Sequence, residues 1–430
     1  MSVVIENVRI LDPADGFDAV GDLCVQGEEI LARGTTPEGF EPRRRIDGSG
    51  LWVFPGLVDL AARTREPGEE HKATIASETR AAARGGVTTL VMPPDTHPPV
   101  DSPAVIELIT RRAREACGVR VYALGALTHG LEGQQLAEMA ALVRAGAPGV
   151  SNGQRPLASL LVLRRALEYA STFDLTTVLS AQDPALTGSG CVHEGPVSTR
   201  LGLSGIPEAA ETAALGAILA LVEQTGARVH VARLSTRRGA EMIAKARSDG
   251  LPISADVAAH QLFLTEVDVA EFNPDCHVIP PLRSQRDRDG LRAAVADGSI
   301  AAICSDHQPH EADSKLGPFA DTLPGIAALE TLLPLTLRLV EDGLLSLEQA
   351  LSRITNGPAE VLGLEHGRLA PGSRADFVLF DPGALHDIRR EHWLSAGHNT
   401  PFFNWTFGGE VRETWVAGRP TWTRPGEDDA

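Results

Sequence analysis

Apolar and polar positions follow two rhythms along this chain. Over residues 1–54, and again over 365–430, short apolar runs such as Val3-Val4-Ile5, Val8-Arg9-Ile10-Leu11 and Phe377-Val378-Leu379-Phe380 are cut by Asp-Pro and Gly turns. Short runs so punctuated read as strands. The two ends together predict one small β-sandwich domain assembled from both termini. Over 55–364 the rhythm changes. Apolar runs at 57–60, 88–92, 119–124, 149–151, 176–179, 229–232, 253–257 and 300–304 alternate with amphipathic stretches at 75–84, 102–116, 157–171, 208–225, 238–248 and 287–296. A strand-then-helix alternation is the signature of βα units on a parallel sheet. Eight such strands over about 300 residues predict an α/β fold of the (β/α)8 TIM-barrel type. There is no further repeat and no low-complexity tract. The closing Glu427-Asp428-Asp429-Ala430 reads as a frayed, solvated end.

Composition narrows the picture. A chain of 430 residues that is 43% hydrophobic and 22% charged is globular. Its net charge of −18 disfavours nucleic-acid backbones as partners. No apolar run reaches the roughly 18–20 residues that span a bilayer, and the N-terminus lacks the basic and apolar regions of a signal peptide. A cytoplasmic protein without a membrane partner is expected. Lysine occurs only at 72, 245 and 315, the other basic residues being arginine, which genomic base composition explains. Cys24, Cys117, Cys191, Cys276 and Cys304 are scattered, with no Cys-x-x-Cys pair; they read as reduced thiols.

Barrel chemistry gathers at the C-terminal ends of the strands. Those ends carry Ala61, Arg63 and Arg65 after the first strand, Asn152 after the fourth, Ser180 after the fifth, Arg233 after the sixth and Asp306-His307-Gln308-Pro309-His310 after the eighth. Further along stand Met92-Pro93-Pro94-Asp95-Thr96-His97-Pro98-Pro99, Gly205-Ile206-Pro207, Pro280-Pro281-Leu282-Arg283, Asn356-Gly357-Pro358-Ala359, Gly372-Ser373-Arg374-Ala375-Asp376 and Asn399-Thr400-Pro401-Phe402. Together with Arg65-Glu66-Pro67-Gly68, these fall in the order in which dihydroorotases carry their motifs. The chain resembles that amidohydrolase family over nearly its full length.

The resemblance implies a two-zinc centre at six positions, and five of them hold residues unfit for it: Ala61, Arg63, Asn152, Ser180 and Arg233. Only Asp306 survives, as a vestigial ligand and general base. With no lysine between Lys72 and Lys245, strands two to six cannot supply a carboxylated lysine. The chain is most similar to the metal-less dihydroorotase-like protein that assembles with aspartate transcarbamoylase in some bacteria. That likeness implies a pseudoenzyme without zinc or other cofactor. It would dimerise and act as a structural subunit for the transcarbamoylase catalytic chain in de novo pyrimidine (UMP) biosynthesis. Two alternatives stand beside it: an active cyclic amidohydrolase with atypical zinc ligands, and a small-ligand sensor using pocket remnants at Arg65, Asp95 and His310.

The bland readings are equally concrete. Arg65 pairs with Glu66 or a neighbouring loop. His307 and His310 either bind a small anion or are satisfied loop histidines. His230 and His260 are core histidines, and Ile279 stands where the family has an asparagine. One expectation is physical. Asp306 without metal is a carboxylate in need of a cation, and Arg63 and Arg233 stand where ligands departed. Their guanidiniums are expected to neutralise it, through a two-toothed contact.

Overall fold

The computed structural model describes residues 2–116 and 118–426, so Cys117 and the 427–430 tail lie outside it. The chain opens with five strands, β1 (Ser2–Asp12), β2 (Phe17–Gln26), β3 (Glu29–Gly34), β4 (Arg44–Asp47) and β5 (Trp52–Pro55). The first three form an antiparallel meander, while β4 and β5 line up in succession, parallel, along the other edge of β1.

The chain then enters the α/β body through β6 (Leu57–Asp59), β7 (Val87–Met92), β8 (Arg120–Ala123), β9 (Gly125–Ala126), β10 (Val150–Ser151) and β11 (Thr177–Ser180). Next comes a two-strand side pair, β12 (Val192–His193) with β13 (Gly205–Ile206). The body finishes with β14 (Val229–Ala232), β15 (Ile253–Ala258) and β16 (Ala302–Cys304). All eight strand runs and all six helical runs read from the sequence are present, with ends shifted by at most three residues. Shorter helices, among them Met139–Arg144 and Leu347–Ser352, were missed because six residues hold less than two turns of the period.

The parallel pairing falls into two sheets, β6-β7-β8 and β9-β10-β11-β14-β15-β16, rather than one closed ladder. They meet where β8 passes through Leu124 into β9. At the other edge Arg63 N donates to His307 O at 2.9 Å and His307 N donates to Ala61 O at 3.0 Å. First and last strands thus touch only at their C-terminal tips, where the functional positions lie. Gly56 makes the entry possible: a Cβ there would sit 2.2 Å from the Thr88 side chain.

The chain returns to its starting sheet as β17 (Phe377–Asp387), β18 (Thr406–Val416) and β19 (Arg419–Thr423), and β17 pairs with β5. The strands of both termini thus form one hydrogen-bonded sheet of eight strands. Period-two alternation gives it two apolar faces. Val3, Ile5, Leu23, Val53, Phe377 and Trp415 make a core of their own, while Phe54, Val378, Phe380 and Val411 belong to the large core of the α/β body. Among the described residues, no helix is long and apolar enough to cross a membrane, and Cys24, Cys191, Cys276 and Cys304 are free and buried.

Candidate functional site

The strand tips bring Arg63, Arg233 and Asp306 together, all nearly inaccessible to solvent. Arg63 Nη1 and Arg233 Nε each lie 3.6 Å from the same oxygen, Asp306 Oδ1. The other oxygen, Oδ2, accepts from Gln308 Nε2 at 3.2 Å. Arg65, Arg233 and Asp306 have φ of 64, 58 and 47°. Left-handed backbone at three non-glycine positions is strained and has to be held by its surroundings. It is held here by ties such as Arg233 N to Asp256 Oδ1 at 2.6 Å.

The ion cluster differs from the expected two-toothed grip on Asp306. The fork of Arg63 is spent on Asp95 instead: Nε and Nη2 donate to Asp95 Oδ2 at 3.0 and 2.8 Å. Asp306 faces only the third nitrogen, Nη1, at 3.6 Å. Arg233 is likewise divided, with Nη2 donating to Ser180 Oγ at 2.9 Å. Arg63 Nη1, Arg233 Nε and Asp306 Oδ1 are all buried without a hydrogen bond of normal length. Burial pushes the Asp306 carboxyl above its ordinary range, outweighing the pull of Arg233 and Arg63. Burial also raises Asp95, but the charge and hydrogen bonds of Arg63, with help from Arg65 and Arg233, bring it below the usual value.

The other expected positions take up structural contacts. Ala61 is buried and contributes only its backbone, to His307 and to Ser305. Asn152 spends both ends of its amide on loop structure, accepting from Thr128 Oγ1 at 2.8 Å and donating to Arg155 O at 3.1 Å. Arg65 pairs with Glu69, at 3.2 Å, not with Glu66, whose carboxylate instead takes Ile75 N. Its Nε donates to Pro309 O at 3.0 Å and its Nη2 reaches His310 Nε2 at 3.1 Å. Burial, then the charge of Arg65, holds His310 neutral with a pKa lowered to about 2; its Nδ1 is buried and has no partner.

His307 does not face the mouth. Its Nδ1 accepts from Ala328 N at 3.0 Å, which makes Nε2 the donor to Glu78 Oε2 at 2.8 Å. An anion-binding role for His307 is therefore corrected to a core tie. His230 is a core histidine, between Ser254 Oγ at 2.8 Å and Asp256 Oδ2 at 2.9 Å. Glu78 and Asp256 escaped the sequence reading, though each left a signal. Glu78 lies on the buried face of the helix Ile75–Arg84, and Asp256 places a charge in a mainly apolar strand run. A charge on a buried face has to find a partner.

The chain is similar over most of its length to known proteins. Residues 50–239 match a family profile described as dihydro-orotase-like, and residues 313–422 match an amidohydrolase family profile. A dihydroorotase-like protein of Pseudomonas aeruginosa is 50% identical over 421 residues, 98% of this chain and 99% of that protein. One from Pseudomonas putida is 51% identical over 97% of this chain and 98% of its own length. A dihydroorotase of Syntrophotalea carbinolica is 40% identical over 98% of this chain and 99% of its own. Among solved structures, an L-hydantoinase (dihydropyrimidinase) from Arthrobacter aurescens superposes with a TM-score of 0.86 at 23% identity, covering 97% of this chain and 95% of that one. At that identity the likeness speaks for the fold alone.

Proposed function

This chain belongs to the dihydroorotase-like family of amidohydrolases, and from that footing we propose that it is a non-catalytic member, a structural subunit that assembles with the catalytic chain of an aspartate transcarbamoylase. One observation carries the reading: two buried guanidiniums each bring one nitrogen to 3.6 Å from Asp306 at the tips of the strands. By the family resemblance, zinc ligands would stand at those positions. Zinc takes imidazole, thiolate or carboxylate ligands, and a guanidinium does not give up its proton in a protein. A methyl group, an amide, a hydroxyl and two cations do not fit a metal pair, so no step of catalysis is routed through one. Zinc has no part in the proposed function, and Asp306, its carboxyl raised by burial, has no metal-bound water to deprotonate.

The partner and the dimer rest on the likeness to the metal-less subgroup. Co-expression with the transcarbamoylase, followed by mass measurement, is expected to give one complex containing a dimer of this chain. Purified chain incubated with zinc is expected neither to retain the metal nor to hydrolyse dihydroorotate. Turnover together with about one equivalent of bound zinc would overturn the non-catalytic reading. A transcarbamoylase that elutes apart from this chain and is fully assembled without it would overturn the scaffold role.

The buried guanidinium of Arg65 beside His310 favours a second reading, in which the pocket remnant senses a small carboxylate. Calorimetry with carbamoyl aspartate and dihydroorotate tests it; saturable heat lost in Arg65→Ala supports it, and no heat ends it.

A further inference from the structure

At the base of the α/β body, opposite the Arg63 cluster, a cavity of about 460 Å³ opens where β11, β14, β15 and β16 begin. Three arginines line it: Arg228, Arg247 and Arg353. Arg228 is neutralised, with Nη2 at 3.1 Å from Asp174 Oδ1 and 2.7 Å from Asp174 O. The other two are not. Arg247 Nη1 donates to the carbonyls of Gly298 and Ser299 at 2.5 and 2.7 Å, and Arg353 Nε donates to Val295 O at 3.2 Å. These bonds satisfy carbonyls at the C-terminal end of the helix Gln285–Ala296 and in the turn beyond it, which is a structural task. They leave the remaining N–H groups of both forks with no protein acceptor among the described residues.

Several arginines on the helices of this chain are treated differently. Arg111, Arg164, Arg165, Arg237, Arg238 and Arg338 each hold a glutamate three or four residues on. Among the described residues, no carboxylate lies within ion-pair distance of Arg247 or Arg353. The one carboxylate in the lining, Glu360, takes Asn356 Nδ2 at 3.1 Å. In a chain of net charge −18, two arginines without an ion-pair partner among the described residues thus face one cavity. Burial and then the charge of Arg247 pull the Arg353 pKa down, against an opposing pull from Asp297, so the pair repel where they stand. Gly298 clears the approach: its φ is +84°, and a Cβ there would come within 3.2 Å of Arg353 Nη2.

We propose that this cavity binds an anion bearing a phosphoryl group, held between the forks of Arg247 and Arg353. Planar guanidiniums suit the tetrahedral oxygens of a phosphate in two-toothed contacts. The volume leaves room for a modest organic body beyond the phosphoryl group, since small-ligand pockets run from roughly 300 to 1,000 Å³. The site lies at the end of the strands remote from Asp306, so it stands whether or not the assembly role holds.

Titration calorimetry at fixed ionic strength, with pyrophosphate and with ribose 5-phosphate, tests the assignment on the full chain. Saturable binding tighter than about 1 mM is expected for at least one of them. Arg247→Ala and Arg353→Ala are each expected to weaken it by about ten-fold or more, since each removes charge-assisted hydrogen bonds. Arg353→Lys keeps the charge but loses the fork, and is expected to recover only part of the affinity. This variant also decides the question if Arg353→Ala does not fold. Pyrophosphate alone binding would point to a bare polyanion, and both binding to a phosphorylated body; either supports the site. No saturation up to about 10 mM, or affinity unchanged in both Arg247→Ala and Arg353→Lys, overturns it.

Discussion

Arg233 joins three groups, Ser180 through Nη2, Asp306 through Nε and Asp256 through its backbone N–H. Truncating it strips Asp306 of one of two compensating charges in a site with almost no solvent. Arg233→Ala is expected to lower stability by about 3 kcal/mol, the scale of an orphaned buried charge. Adding Asp306→Asn is expected to restore part of that loss. Denaturant midpoints check both, and a neutral single variant would remove Arg233 from the ion cluster. His260 supports a pH prediction. Burial alone holds its pKa down to about 3, and its Nδ1 has no partner. A histidine that cannot protonate when folded binds more protons unfolded, so stability falls as pH drops below the unfolded value near 6.5. Between about pH 6 and 4 this residue alone contributes a slope of about 1.4 kcal/mol per pH unit. His260→Gln is expected to flatten the stability-pH curve by that amount, measured by denaturation across the range. The sequence identified His260 and His230 as core histidines and placed Arg63 and Arg233 near Asp306. It did not foresee Asp95 as the main partner of Arg63, because that pairing depends on where a loop 32 residues away leans in.

Elements were more legible than residues. Runs such as those at Val87–Met92 and Ala209–Thr225 formed as read, the first a short run buried along its whole length and the second long enough to be a helix although its apolar residues are not confined to one face. The helix Leu332–Glu341 was not anticipated: its sequence LLPLTLRLVE is apolar on nearly every side and carries a proline in its first turn. How adjacent helices are joined was also invisible. Glu211, buried in the helix Ala209–Thr225, accepts from the N–H and hydroxyl of both Ser235 and Thr236 at 2.5–3.0 Å. Thr236 in turn caps the next helix, Arg237–Ser248, through Gly239 N. One carboxylate thus fixes the start of a helix on the following βα unit. Glu211→Gln replaces an acceptor with an amide donor facing donors. It is expected to cost about 2–3 kcal/mol and to raise amide exchange in the first turn of Arg237–Ser248, measured by hydrogen exchange.

Across the whole molecule, the terminal sheet is locked to the α/β body by few polar contacts. Arg120 on β8 grips Asp376 with Nε at 3.1 Å and Nη2 at 2.9 Å, and Asp376 also takes Ala417 N at 2.7 Å. Arg120→Ala leaves Asp376 buried without its fork. It is expected to destabilise the chain by about 3 kcal/mol, with faster amide exchange in β17 and β18 than in β14 and β15; uniform exchange would show that the apolar interface alone does the locking. The sequence by itself determined the α/β class, the strand and helix runs, the joining of both ends and the residue types at the strand tips. Those properties are written in local period and in residue type, neither of which needs a neighbour. Tertiary structure alone decided that the termini share one eight-stranded sheet, that Arg63 turns its fork to Asp95, that His307 faces Glu78, and that Arg247 and Arg353 share a cavity. Each of these depends on which distant side chains converge, and with buried polar groups that convergence, rather than identity, sets which partner compensates the cost of leaving water.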